Sequence, residues 1–154
     1  MARQECSIVE EPRREAYRAL IDALAGCSKT VLLVAREQLT LSAEAEQVFR
    51  QLLPFRQRQV RTTQWPGTEL IGHFALVNYY PVSLEVTEIV KTAVEGLYEW
   101  TQPKCPEDIC LLGHDDEPTL TTISHEKDAW VSLSPEAMER VRQEVGGRFF
   151  EEPR

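Results

Sequence analysis

The stretch Thr30–Ala35, TVLLVA, constrains this chain more than any other. It is short, rich in β-branched residues and continuously apolar from Val31 to Ala35, so it has no polar side to turn toward water. A segment of that length and composition reads as a buried central strand. The rest of the chain must then supply neighbouring strands and the helices that cover them.

Helical signals flank that strand. Glu11-Pro12 marks a helix start, since proline tolerates the first turn, and Tyr17, Leu20, Ile21 and Leu24 recur at helical spacing up to Gly26. Ser42 is placed to cap a second helix with Ala45, Val48, Phe49, Leu52 and Leu53 on its apolar face, stopped by Pro54. Ser83 heads a third, with Val86, Ile89, Val90, Ala93, Val94 and Leu97 in one stripe, and Ser134-Pro135-Glu136 heads a fourth. Between them, Gln57–Gln64 reads as a charged edge strand, Trp65–Thr68 as a turn, and Gly72–Tyr80 as a half-buried strand. Asp108–Gly113, Thr119–His125 and Ala129–Leu133 read as a three-strand meander. The order α-β-α-β-β-α-β-β-β-α fits an α+β fold: a mixed, mainly antiparallel sheet with about four helices packed on it.

The 154 residues suit a single globular domain, with 1–9 and 149–154 expected to fray and Phe149 and Phe150 able to dock back. No run of about 18 apolar residues occurs, so no membrane partner is expected. Met1–Val9 lacks the apolar segment of an export signal, which sets a cytoplasmic expectation. In that compartment Cys6, Cys27, Cys105 and Cys110 are expected as free thiols. The formal charge of −8 is unevenly spread: residues 1–77 carry ten Lys/Arg against nine Asp/Glu, whereas 78–154 carry seven against sixteen. An acidic half repels nucleic acid and attracts basic partners.

No catalytic signature stands out. The glycines are scattered, with no phosphate-cradling loop, so no cofactor is expected. Ser124-His125-Glu126 are adjacent on a strand, where neighbours face opposite ways, and no nucleophile elbow is present. Cys105, Cys110, His114 and His125 supply four zinc donors at spacings that suit zinc poorly. Asp115-Asp116-Glu117 lacks the calcium-loop pattern. Arg50, Arg56, Arg58 and Arg61 form the one basic cluster, near Phe55 and Trp65; it serves an edge strand, or contact with the acidic half of a second copy in a homo-oligomer, better than nucleic acid.

The sequence therefore favours a non-catalytic protein-binding domain of the inhibitor or immunity type. Its acidic C-terminal half would meet a basic protein partner through Asp115, Asp116, Glu117, Glu126, Asp128 and Trp130. Two alternatives stand beside it. One is a small enzyme or metal-binding protein centred on His114, His125 and neighbouring acids, which requires those groups to converge. The other is a small-molecule module under Tyr79, Tyr80 and Trp130, which requires an apolar cavity.

Overall fold

The computed structural model describes residues 2–152 and is an α+β fold. Among these residues nine strands occur: β1 (Gln4–Ser7), β2 (Thr30–Arg36), β3 (Arg58–Thr62), β4 (Gln64–Trp65), β5 (Thr68–Glu69), β6 (Ala75–Pro81), β7 (Glu107–Leu112), β8 (Pro118–Ile123) and β9 (Asp128–Leu133). The four α-helices are α1 (Glu15–Ala25), α2 (Ala43–Leu52), α3 (Leu84–Ala93) and α4 (Pro135–Val145). Seven strands form one sheet in the order β1-β9-β8-β7-β2-β6-β3, every neighbouring pair antiparallel, and β4-β5 is a separate hairpin.

The apolar strand β2 lies inside the sheet, paired with β6 on one side and β7 on the other. Its alternate residues feed two different cores. Val31 and Leu33 join Tyr17, Leu20, Leu24, Leu52, Val86, Val90, Met138 and Val141, so all four helices lie on that face. They run across it in the order α4-α1-α3-α2, set by contacts of α1 with α4 and α3 and of α3 with α2. Leu32 and Val34 point the other way, where Ala75, Val77, Cys110 and Trp65 cover them. The hairpin β4-β5 is the lid of this second core, turned tightly by Pro66-Gly67 with Gly67 at φ +87°.

The three serine caps form as their positions require: Ser42, Ser83 and Ser134 accept from the backbone N–H groups of Ala45, Val86 and Ala137. The arginine-rich segment is the sheet edge β3.

Several boundaries differ from the sequence reading. Gln4–Ser7 is not frayed but pairs with β9 as strand β1. Phe149 and Phe150 are buried, and Ile8 bridges Phe150, so the C-terminal segment ties down the N-terminal one. Met1, Pro153 and Arg154, also expected to fray, lie outside the described residues. The first helix begins at Glu15 rather than Pro12, and the third ends at Ala93 rather than near Leu97. One long-range contact explains both: Arg13 bridges Gly96, and the Arg14 N–H donates to the Glu95 carbonyl at 2.6 Å, holding each segment out of its helix. The strand expected from Gly72 starts at Ala75, because Gly72 takes φ +76° in an exposed loop.

Candidate functional site

The meander β7-β8-β9 puts the acidic residues at two separate places. The turn from Gly113 to Glu117 joins β7 to β8, and a 3₁₀ turn, Ser124–Glu126, joins β8 to β9. His114 and His125 therefore sit at opposite ends of β8, both exposed, and do not converge. The same separation divides the expected partner-binding set: Asp115, Asp116 and Glu117 at one end, Glu126, Asp128 and Trp130 at the other. The aromatic set divides as well. Tyr80 enters the helix-side core, Tyr79 packs on the second core, and Trp130 lies half-buried beside Gly67 of the hairpin.

At the 113–117 turn the two aspartates are paired within the molecule, while Glu117 is exposed with no ion pair among the described residues. Arg3 donates to Asp115 at 2.6 Å, and Lys29 pairs with Asp116 at 2.8 Å. Asp115 also accepts from the Glu117 backbone N–H. That backbone hydrogen bond, with Arg3 beside it, holds the Asp115 carboxyl below the usual carboxylate range.

The 124–126 end is different. Glu126 and Asp128 are exposed and have no ion pair among the described residues. This turn packs on a second short turn, Leu97–Glu99. Glu11 and Glu99 lie there too, sharing Arg13 at 3.3 Å each. The phenol of Tyr98, half-buried in the same place, is pushed up to about 12 by burial and by the charges of Asp128 and Glu11.

Beneath that surface lies a group that alternation along a strand would not place together. Between β2 and β7 the pairing slips: Leu32 faces Cys110, yet Val34 faces Glu107, so β7 spends an extra residue. Asp108 takes φ +46° within this irregularity. Such a bulge re-aims side chains. Here donor atoms of the neighbours Glu107 and Asp108, both 1% exposed, lie within 4.8 Å of each other and of a ring nitrogen of His125.

Buried donors orient both carboxylates. Asp108 accepts from the Ser124 N–H at 2.9 Å and from the Trp65 indole N–H at 3.2 Å, so it fastens both the 124–126 turn and the hairpin lid. Glu107 accepts from the Thr101 hydroxyl at 2.8 Å and the Gln102 N–H at 3.4 Å, and Arg36 stands 3.6 Å from its other oxygen. Burial pushes the Asp108 carboxyl up to about 6. The Ser124 N–H opposes that rise, and the neighbouring charge of Glu107 adds to it. Chemically, two oriented carboxylates and an accessible imidazole can hold a cation. Ser124 is no nucleophile here: it is buried, and its hydroxyl meets Thr122 at 3.5 Å.

The four cysteines are free thiols. Cys105 and Cys110 are buried, and burial pushes their thiols up to about 11 and about 12. The basic residues of the edge are engaged within the molecule: Arg61 pairs with Glu37 through two hydrogen bonds, Arg58 stacks on Tyr79, Arg50 bonds Gln47 and Arg56 reaches Asn78. No helix among the described residues is long and apolar enough to cross a membrane.

The sequence reads Trp65 as a turn residue near the arginines rather than as a buried support, and it singles out neither Glu107 nor Asp108. The one signal they offered was an acidic pair at a strand start, and buried Asp and Glu are too rare for that to count. Comparison with protein-family models, curated proteins and solved structures found no match to this chain.

Proposed function

We propose that this chain is a non-catalytic protein-binding domain, of the inhibitor or immunity type, that presents the β8-β9 end of its sheet to a basic protein partner. One observation carries the reading. At 113–117 both aspartates are paired with internal cations, whereas at 124–128 both acids, Glu126 and Asp128, are exposed with no internal cation among the described residues. Unpaired surface charge of one sign steers an oppositely charged partner and sets its orientation. Asp128 and Trp130 lie on the same side of β9, so an acid and a half-buried aromatic stand together, a pairing suited to an interface anchor. The overall charge of −8 favours the same class of partner and opposes nucleic acid.

The test is affinity capture followed by binding kinetics with the identified partner. At about 0.05 M salt, where the Debye length exceeds 10 Å, a basic protein is retained; at about 0.5 M it is lost. The double variant Glu126→Gln/Asp128→Asn slows association, whereas Asp115→Asn/Asp116→Asn leaves it nearly unchanged. Retention that is insensitive to salt and to Glu126 and Asp128 would overturn the reading.

A further inference from the structure

We propose that Glu107, Asp108 and His125 form a divalent-cation site suited to zinc, separate from the exposed acids of the recognition end. The donor set is mixed: two carboxylate oxygens and one imidazole nitrogen, all within 4.8 Å of one another. Zinc takes carboxylate and imidazole donors at about 2.0–2.2 Å, and three protein ligands leave a fourth position for water. Donors bound to one such ion lie about 3.3 Å apart, which follows from tetrahedral geometry at those bond lengths. Binding draws the three donors together to that spacing, and His125, exposed on its turn, can move toward the two carboxylates.

A second observation separates this group from an ordinary acidic surface. Both carboxylates are 1% exposed, and their oxygens are fixed by Ser124, Trp65, Thr101 and Gln102. Hydrogen bonds of this kind orient ligands around a metal, and they leave lone pairs on both Asp108 oxygens and on the second Glu107 oxygen, Oε2. The local charge also needs a cation. Two carboxylates are buried side by side, and among the described residues the one basic side chain paired with them is Arg36, at 3.6 Å from Glu107 only. Buried charges persist when they are paired or coordinate metals. The imidazole sets the preference: a site of carboxylates alone would suit calcium or magnesium, whereas a ring nitrogen favours zinc. The bulge in β7 is the structural cause, because it turns two adjacent acids toward one point.

Cobalt(II), a spectroscopic stand-in for zinc, tests this on the full chain without any partner. One equivalent binds, with visible ligand-field bands and no thiolate charge-transfer band, and zinc displaces it. His125→Gln changes an exposed side chain, so the fold is retained; it weakens binding at least tenfold. Asp108→Asn weakens it as well, with far-ultraviolet circular dichroism as the check on folding. His114→Gln, at the other end of β8, leaves binding unchanged. Absence of stoichiometric binding, a thiolate band, or full binding by His125→Gln would each overturn the proposal. Partner capture by the metal-free chain would leave the recognition reading standing by itself, so the two can fail separately.

Discussion

The two ends of β8 carry similar sequences and opposite physics. At 113–117 the two aspartates project into water and meet Arg3 and Lys29 in exposed pairs. At 124–128 the surface acids have no such partners among the described residues, and the turn beneath them hangs from a buried carboxylate, Asp108. An acidic turn says little by itself. What decides its role is which cations the rest of the fold brings to it, and whether its backbone is anchored to something buried.

Mutations should separate the ends by magnitude. The largest effect is expected for Trp65→Ala, which empties the second core and removes a donor to Asp108; urea unfolding should show a loss of about 4 kcal/mol, in the range for deleting a buried aromatic. A loss below about 1 kcal/mol would mean that the hairpin lid does not anchor this end.

The next effect is a pH dependence with an unusual sign. Asp108 has a folded-state pKa of about 6 against an ordinary value of 3.8, so between those values the folded state binds more protons than the unfolded one. The contribution of Asp108 to stability therefore falls as pH rises from about 4 to above about 6. The total loss is about 3 kcal/mol, because each pH unit between the two values is worth about 1.4 kcal/mol. Asp108→Asn should flatten that limb. Asp115 works the other way: its depressed pKa makes its contribution present above the ordinary carboxylate range and lost on acidification. Comparing unfolding of wild type, Asp108→Asn and Asp115→Asn across that range reads both signs.

Gly67→Ala comes third. Gly67 has φ +87°, and a Cβ there would lie 2.8 Å from the Thr121 side chain, so the lid must shift; the expected loss is about 1–2 kcal/mol, with altered Trp65 fluorescence. The smallest effect belongs to Lys29→Ala. It breaks an exposed pair with Asp116, and the unfolding midpoint should move by little more than the scatter between repeats. A large loss from Lys29→Ala would erase the contrast between the two ends.

Much of the fold was legible because it is written locally. The strand Thr30–Ala35, the serine caps at 42, 83 and 134, the arginine-rich edge and the three-strand meander all follow from short-range pattern. What escaped depends on pairing between distant segments. Strand β1 is short and polar on three of its four residues, and it exists because β9 offers an edge. Helix α3 stops early because Arg13 claims Gly96. The aromatic residues are too many for one small core, and the molecule resolves this by having two.

The site was less legible for the same reason. His114 and His125 look clustered along the chain but are held apart by the full length of β8. Glu107 and Asp108, by contrast, come together through a register slip that no local pattern announces. Alternation along a strand is a sound rule until a bulge breaks it, and here the break lies under the 124–126 turn.

The central claim is that the 124–128 end, not the 113–117 end, is where this domain meets its partner. The most direct measurement is the association rate of the captured basic protein with Glu126→Gln/Asp128→Asn and with Asp115→Asn/Asp116→Asn, each at low and high salt. Slowed association and a weakened salt dependence are expected for the first variant alone. Equal slowing by both variants, or slowing by the second alone, would contradict the claim.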